Sequence, residues 1–129
     1  MKYLFDNDIS PHFAKMLHAL HVDIVALREL MPANTKDCDF LADLQAKHGI
    51  DVFISNNSTQ RTNPIERELL KASGVISLYL TPFWSKLTFW PQAKWLVYRW
   101  EQIDGFSKGV ASGTCADLQQ NGRSRIDHL

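Results

Sequence analysis

The chain has little cysteine: Cys38 and Cys115 stand alone, without the Cys-x-x-Cys spacing of a metal or redox motif. Two isolated thiols fit a reducing compartment and argue against a thiolate zinc site. No run approaches the roughly 18 apolar residues that a membrane span needs. The opening Met1-Lys2-Tyr3-Leu4-Phe5-Asp6 meets an acid too early for a secretory signal. The expectation is a cytoplasmic protein with no membrane partner. No Gly-rich turn follows the first apolar run, which counts against dinucleotide binding. No Ser/His/Asp ordering suggests acyl transfer, since Ser10 and Ser55 have no evident neighbouring base. Repeats and low-complexity segments are missing too. Net charge is zero, with fourteen Lys or Arg against fourteen Asp or Glu. Residues 1–81 hold eight basic and ten acidic side chains and residues 82–129 hold six and four, an asymmetry too weak to demand nucleic acid on electrostatic grounds.

What remains is an ordinary globular composition, 45% apolar and 22% charged over 129 residues, long enough for one core and too short for two ordinary domains. Strand and helix signals alternate. Lys2–Phe5 reads as a strand, and Ser10-Pro11 as a helix start in which Ser caps the free amides and Pro takes the first position. Phe13, Met16, Leu17 and Leu20 form one stripe, and His12, His18 and His21 read as helix-surface histidines. Asp23–Leu27 is a β-branched strand, expected to lie parallel to the first. Residues 28–36 read as a loop broken by Pro32. A helix follows from Asp37–Asp39 to His48, ended by Gly49 and burying Phe40, Leu41 and Leu44.

Asp51–Ser55 is nearly all apolar and reads as a central strand. Asn63-Pro64-Ile65-Glu66 forms a capping-box pattern, opening a helix that turns Ile65, Leu69 and Leu70 inward and stops at Gly74. Val75–Leu80 is a fourth strand. Aromatics then crowd together, and the segment from Pro91 to Ile103 places Ala93, Leu96, Val97 and Trp100 on one stripe, so most of this block reads as core. Trp95 with Arg99, on another face, offers a stacking or partner surface as the lesser alternative. Past Gly105 the chain turns polar, with a hairpin or edge strand expected around Thr114–Leu118 and Arg123–Ile126.

The chemistry concentrates where the first strand ends. Asp6 is placed to face the crevice in which alternating α/β sheets bind ligands, and strand periodicity puts Asp8 on the same face and Asn7 on the other. An acid at such a position also serves as a plain turn residue or cap. Asp37 and Asp39 equally suit the positive end of a helix dipole. Asn56, Asn57 and Arg61, beyond the third strand, would share a rim with Asp6 in a parallel sheet.

The opening Phe5-Asp6-Asn7-Asp8-Ile9-Ser10-Pro11 resembles the start of PIN-like domains, the nuclease fold of VapC-type toxins in type II toxin–antitoxin pairs. Asp37-Cys38-Asp39-Phe40-Leu41 is similar to the acidic second motif of one PIN-like branch. Ile54-Ser55-Asn56-Asn57 with Arg61-Thr62-Asn63-Pro64-Ile65-Glu66-Arg67 resembles its third motif. The aromatic block through Trp84, Phe89-Trp90, Gln92-Ala93 and Arg99-Trp100 looks like its carboxyl-terminal half, so the similarity spans about residues 1–105, with 106–129 a polar extension of the same domain. The resemblance implies an α/β fold, a Rossmann-like three-layer sandwich with a mostly parallel central sheet of four or more strands flanked by helices. It further implies a ribonuclease dependent on Mg²⁺ or Mn²⁺. Asp6 would be the central ligand and Asp37 the second acid, Asp8 or Asp39 would support them, and Arg61 would hold a phosphate. RNA would be the substrate and an antitoxin the protein partner, with a homodimer left open.

One position departs from the pattern. The third strand of that branch usually ends in Gly-Asp, and Asn57 stands where its Asp would be. An amide oxygen can ligate a hard cation but brings no charge. A weakened nuclease, a site completed by substrate phosphate, and a fold kept for binding alone are all compatible with it. A phosphate-receiving regulatory domain would need a phosphorylatable Asp after the third strand, where Asn56 and Asn57 stand.

Overall fold

The computed structural model describes residues 1–31, 41–56 and 63–126. The elements run β1 (Tyr3–Phe5), α1 (Pro11–Ala19), β2 (Ile24–Ala26), α2 (Leu27–Leu30), α3 (Leu44–His48), β3 (Val52–Ser55), α4 (Pro64–Ser73), β4 (Ile76–Leu80), α5 (Phe83–Lys86), α6 (Phe89–Gly109), β5 (Cys115–Leu118) and β6 (Ser124–Ile126). The strands form one six-stranded sheet in the order β2-β1-β3-β4-β5-β6. All neighbouring pairs are parallel except β5 with β6. Helices on both faces complete the α/β sandwich, and among the described residues no helix is long and apolar enough to cross a membrane.

Alternation along each strand sorts the core into two layers. Tyr3, Phe5, Val52, Ile54, Ile76, Leu78 and Leu80 point to one face, where Phe13 and Leu17 of α1 and Trp95, Leu96, Trp100 and Ile103 of α6 cover them. Leu4, Phe53 and Tyr79 point to the other, against Leu27, Leu41, Leu44 and Leu70. With both faces covered, the strands can be apolar at nearly every position; β3 and β4 are buried throughout.

Local chemistry explains most element ends. Ser10 caps α1 by accepting from the His12 amide, with Pro11 in the first position. Asn63 Oδ1 accepts from the amides of Ile65 and Glu66 at 3.0 and 3.3 Å and so opens α4. Gly49 and Gly74 end α3 and α4 in the left-handed region, at φ 66° and 78°.

Several expectations are corrected. Residues 27–30 are a helical turn rather than loop, because Leu27 and Leu30 pack on the second core layer while Arg28 and Glu29 face outward. Leu20 caps α1 and is exposed, since the helix ends before it can return to the sheet. Ile65 projects outward from the first turn of α4, which touches the core only at Leu69 and Leu70. Helix α6 starts at Phe89 and runs through Gly105 to Gly109, held on its inner face by Trp100, Ile103 and Ser107. On that helix Ala93, Leu96 and Trp100 are buried as the stripe predicts, while Val97 is exposed and Trp95 joins the core in its place. The indole of Trp95 donates to the Gln120 carbonyl at 2.8 Å, which rotates the inner face toward the β5–β6 turn. The predicted helix start at Asp37, together with Phe40 and Cys38, lies outside the described residues. Cys115 is buried in the second core layer.

A cross-layer bond ties the first strand to α6. The Tyr3 hydroxyl donates to Asp104 Oδ1 at 2.6 Å, and Lys108 pairs with the same carboxylate at 2.7 Å. Burial and the neighbouring Asp104 charge push the Tyr3 hydroxyl pKa well up. At Asp104 burial pulls upward, but the bonds from Lys108 and Tyr3 outweigh it and the carboxyl is lowered.

Candidate functional site

The strand order places a gap at one defined point. From β1 the chain moves outward to β2 and then crosses back to β3 on the opposite side of β1. The loops leaving β1 and β3 therefore diverge, and a crevice opens at their carboxyl ends, where sheets of this order take ligands. Asp6 follows β1 directly, and its amide still bonds the Ile54 carbonyl of β3 at 3.0 Å. Ser55 and Asn56 arrive from the end of β3.

One hydroxyl stands between two carboxylates. Ser55 Oγ donates to Asp6 Oδ2 at 2.8 Å and lies 3.5 Å from Asp8 Oδ2. A hydroxyl has a single proton, so the short bond goes to Asp6 and the Asp8 contact is marginal. Asp6 Oδ1 accepts from the Asn7 amide at 2.7 Å, and Asp8 Oδ1 from the Asn56 amide at 3.2 Å. Asn56 in turn donates through Nδ2 to Ser85 Oγ at 3.2 Å, fastening α5 to the same edge.

Asp6 is 7% exposed, while Asp8 lies at the mouth. Burial of its carboxyl, and then the nearby charge of Asp6, push the Asp8 pKa from 3.8 up to about 6. Two like charges held this close relax if a proton or a cation joins them.

Asp8 comes to Asp6 by a route other than strand alternation. Strand β1 stops at Phe5, and a turn over residues 7 and 8 carries Asp8 back toward the sheet while Asn7 stays in solvent. Asp37, Asp39, Asn57 and Arg61 lie outside the described residues. Two contributors escaped the sequence-based assignment. Ser55 is a buried polar residue ending an otherwise apolar strand, and that contrast was its signal. Arg28 had no signal while it read as loop. It lines, with Asp6, Asn7, Ile9, Pro11 and Ala26, a cavity of about 130 Å³ beside the acids.

The donors suit a hard cation in kind: two carboxylates and a hydroxyl, all oxygen. They are a partial set, because among the described residues no group of three His, Cys, Asp or Glu side chains could hold a metal ion. Asp6 and Asp8 would supply two of the ligands.

A mostly parallel α/β sheet presenting paired carboxylates at its switch point defines a class of domain built to place charge where a ligand enters. The particular family follows from direct comparison. The PIN-like domain family matches residues 1–82, well over half of the chain, and the protein belongs to that family. No curated protein and no solved structure matches the chain.

Proposed function

We propose that the protein is a metal-dependent ribonuclease of the PIN-like type. The observation that carries this reading is the placement of the Asp6 and Asp8 carboxylates on either side of Ser55 Oγ, at the sheet's switch point. Mg²⁺ or Mn²⁺ bound there would lower the pKa of a water and offset the charge that develops on a phosphodiester. In the chain itself, Ser55 orients Asp6 and the Asn56 amide orients Asp8. A cation bound there would offset the repulsion between Asp6 and Asp8 and hold both carboxylates ionised as ligands. Arg28, at the rim of the same crevice, is placed to meet a phosphate. By resemblance Asp37, Asp39 and Arg61 complete the site, and the narrower reading is the toxin of a type II toxin–antitoxin pair with an antitoxin as partner.

The test is cleavage of single-stranded RNA by the purified protein with Mn²⁺ or Mg²⁺. Asp6→Asn should reduce it about a hundredfold or more, since several kcal/mol of metal-borne stabilisation would be lost. Cleavage that survives this substitution refutes the assignment. Asn57, standing where the resembled branch carries Asp, supports a second reading as a binding module without catalysis. That reading predicts an inert wild type and strong new activity in Asn57→Asp.

A further inference from the structure

Helix α6 buries one face and leaves another unexplained. Trp84 of α5 and Trp95 and Trp100 of α6 are in the core, but Trp90 is 71% exposed and Tyr98 is 78% exposed. These two rings are eight residues apart on α6, roughly 12 Å along its axis at 1.5 Å per residue. Lys94 lies between them, one turn from each. The guanidinium carbon of Arg99 sits 4.8 Å from the Tyr98 ring centroid. Trp90, Lys94, Val97, Tyr98 and Arg99 line a shallow groove of about 890 Å³.

Both charged side chains that line the groove, Lys94 and Arg99, are cations, and the exposed Glu101 follows just beyond them on the same helix. The amino-terminal end of α6 follows α5, which is fastened to the acidic edge. Ser85 is bonded to Asn56 beside Asp8. Four residues later Phe89 stacks on Phe13 of α1 at 4.9 Å and meets the edge of Trp90 at 5.5 Å.

We infer that the outward face of α6, through Trp90, Lys94, Tyr98 and Arg99, is a track that holds single-stranded RNA leading to or from the Asp6–Asp8 crevice. The inference rests on the nuclease reading for its choice of ligand. Aromatic faces alternating with cations at helical spacing are what a single strand uses, bases stacking on rings while phosphates meet Lys and Arg. A polyanion matches the two lining cations, and the link through α5 to the acidic edge gives the strand somewhere to go.

The experiment measures binding apart from cleavage. A fluorescently labelled oligouridylate is titrated with the full chain in EDTA, following oligonucleotide anisotropy and protein tryptophan emission. Trp90→Ala and Tyr98→Ala are each expected to weaken binding about 5- to 100-fold. Lys94→Ala should lower the salt dependence by about one phosphate contact. Both rings are exposed, so melting temperatures should hold. Affinity unchanged in the Trp90→Ala/Tyr98→Ala double variant overturns the track. So does a dimer in sedimentation that the double variant abolishes while RNA affinity stays the same, since the face would then belong to a second copy. Asp6→Asn that binds but no longer cleaves supports track and nuclease together. Wild type that binds through Trp90 and Tyr98 yet cleaves with neither metal leaves the track standing and removes the nuclease.

Discussion

Replacing Asp8 by Asn should stabilise the metal-free protein, and the size and sign of the effect follow from the geometry around Ser55. Asn keeps an Oδ1 acceptor for the Asn56 amide, so the 3.2 Å bond survives while the charge facing Asp6 disappears. In the folded chain the Asp8 pKa stands at about 6 against 3.8 for the free group. The folded state therefore binds more protons than the unfolded one between those values, and stability falls as pH rises through that window. Each pKa unit corresponds to about 1.4 kcal/mol. Because Asp8 is partly exposed, solvent screening reduces the usable effect to about 1 kcal/mol. For a domain of this length that is a melting shift of roughly 3–4 °C.

Circular dichroism melts in EDTA should show the variant above wild type by this amount at about pH 8. The gap should shrink on acidification through this window and close toward about pH 3, where Asp8 is protonated in both states. Added Mn²⁺ should reverse the order, because wild type gains stability from binding and the variant gains less. A wild type that melts higher than Asp8→Asn at about pH 8 without metal, or a gap indifferent to pH, refutes the account of a strained carboxylate pair.

Three further substitutions probe the frame. Ser55→Ala removes the hydroxyl that donates to Asp6 at 2.8 Å and leaves a buried carboxylate short of a partner. A loss of about 2 kcal/mol in urea unfolding is expected, with weaker Mn²⁺ binding by calorimetry. Tyr3→Phe deletes the 2.6 Å bond to Asp104 but leaves the aromatic packing. It should cost about 1–2 kcal/mol and flatten stability changes on the alkaline side. Trp100→Ala empties the space where the indole meets Tyr3 and Phe5 at centroid distances of 4.8 and 6.3 Å. About 3–5 kcal/mol should be lost, enough to leave a domain of this size marginal at 25 °C.

Elements whose cause is local were legible in the chain. Ser10-Pro11 and Asn63-Pro64 open helices because the capping oxygen and the preset proline φ act within two or three residues, and Gly49 and Gly74 end helices by the same kind of short-range geometry. The apolar run at Val52–Ile54 announced a strand covered on both faces. Elements whose cause is remote were misjudged. Periodicity found most of the inner face of α6, at Ala93, Leu96 and Trp100, but not that Trp95 joins it in place of Val97, because that is set by the Trp95 bond to Gln120. Residues 27–30 are helical through Leu27 and Leu30 meeting the second core layer, a contact no local pattern reveals. Charge totals likewise gave no sign that Lys94 and Arg99 line one groove with Trp90 and Tyr98.

By itself, then, the order of residues determined that strands and helices alternate, where helices begin, and that Asp6 stands at the end of the first strand. Tertiary structure alone decided that β1 and β3 are neighbours, and so that Ser55 and Asn56 meet Asp6 and Asp8 nearly fifty residues away in sequence. Pairing of distant strands depends on which faces the whole core can bury, and that balance is a property of all the layers together.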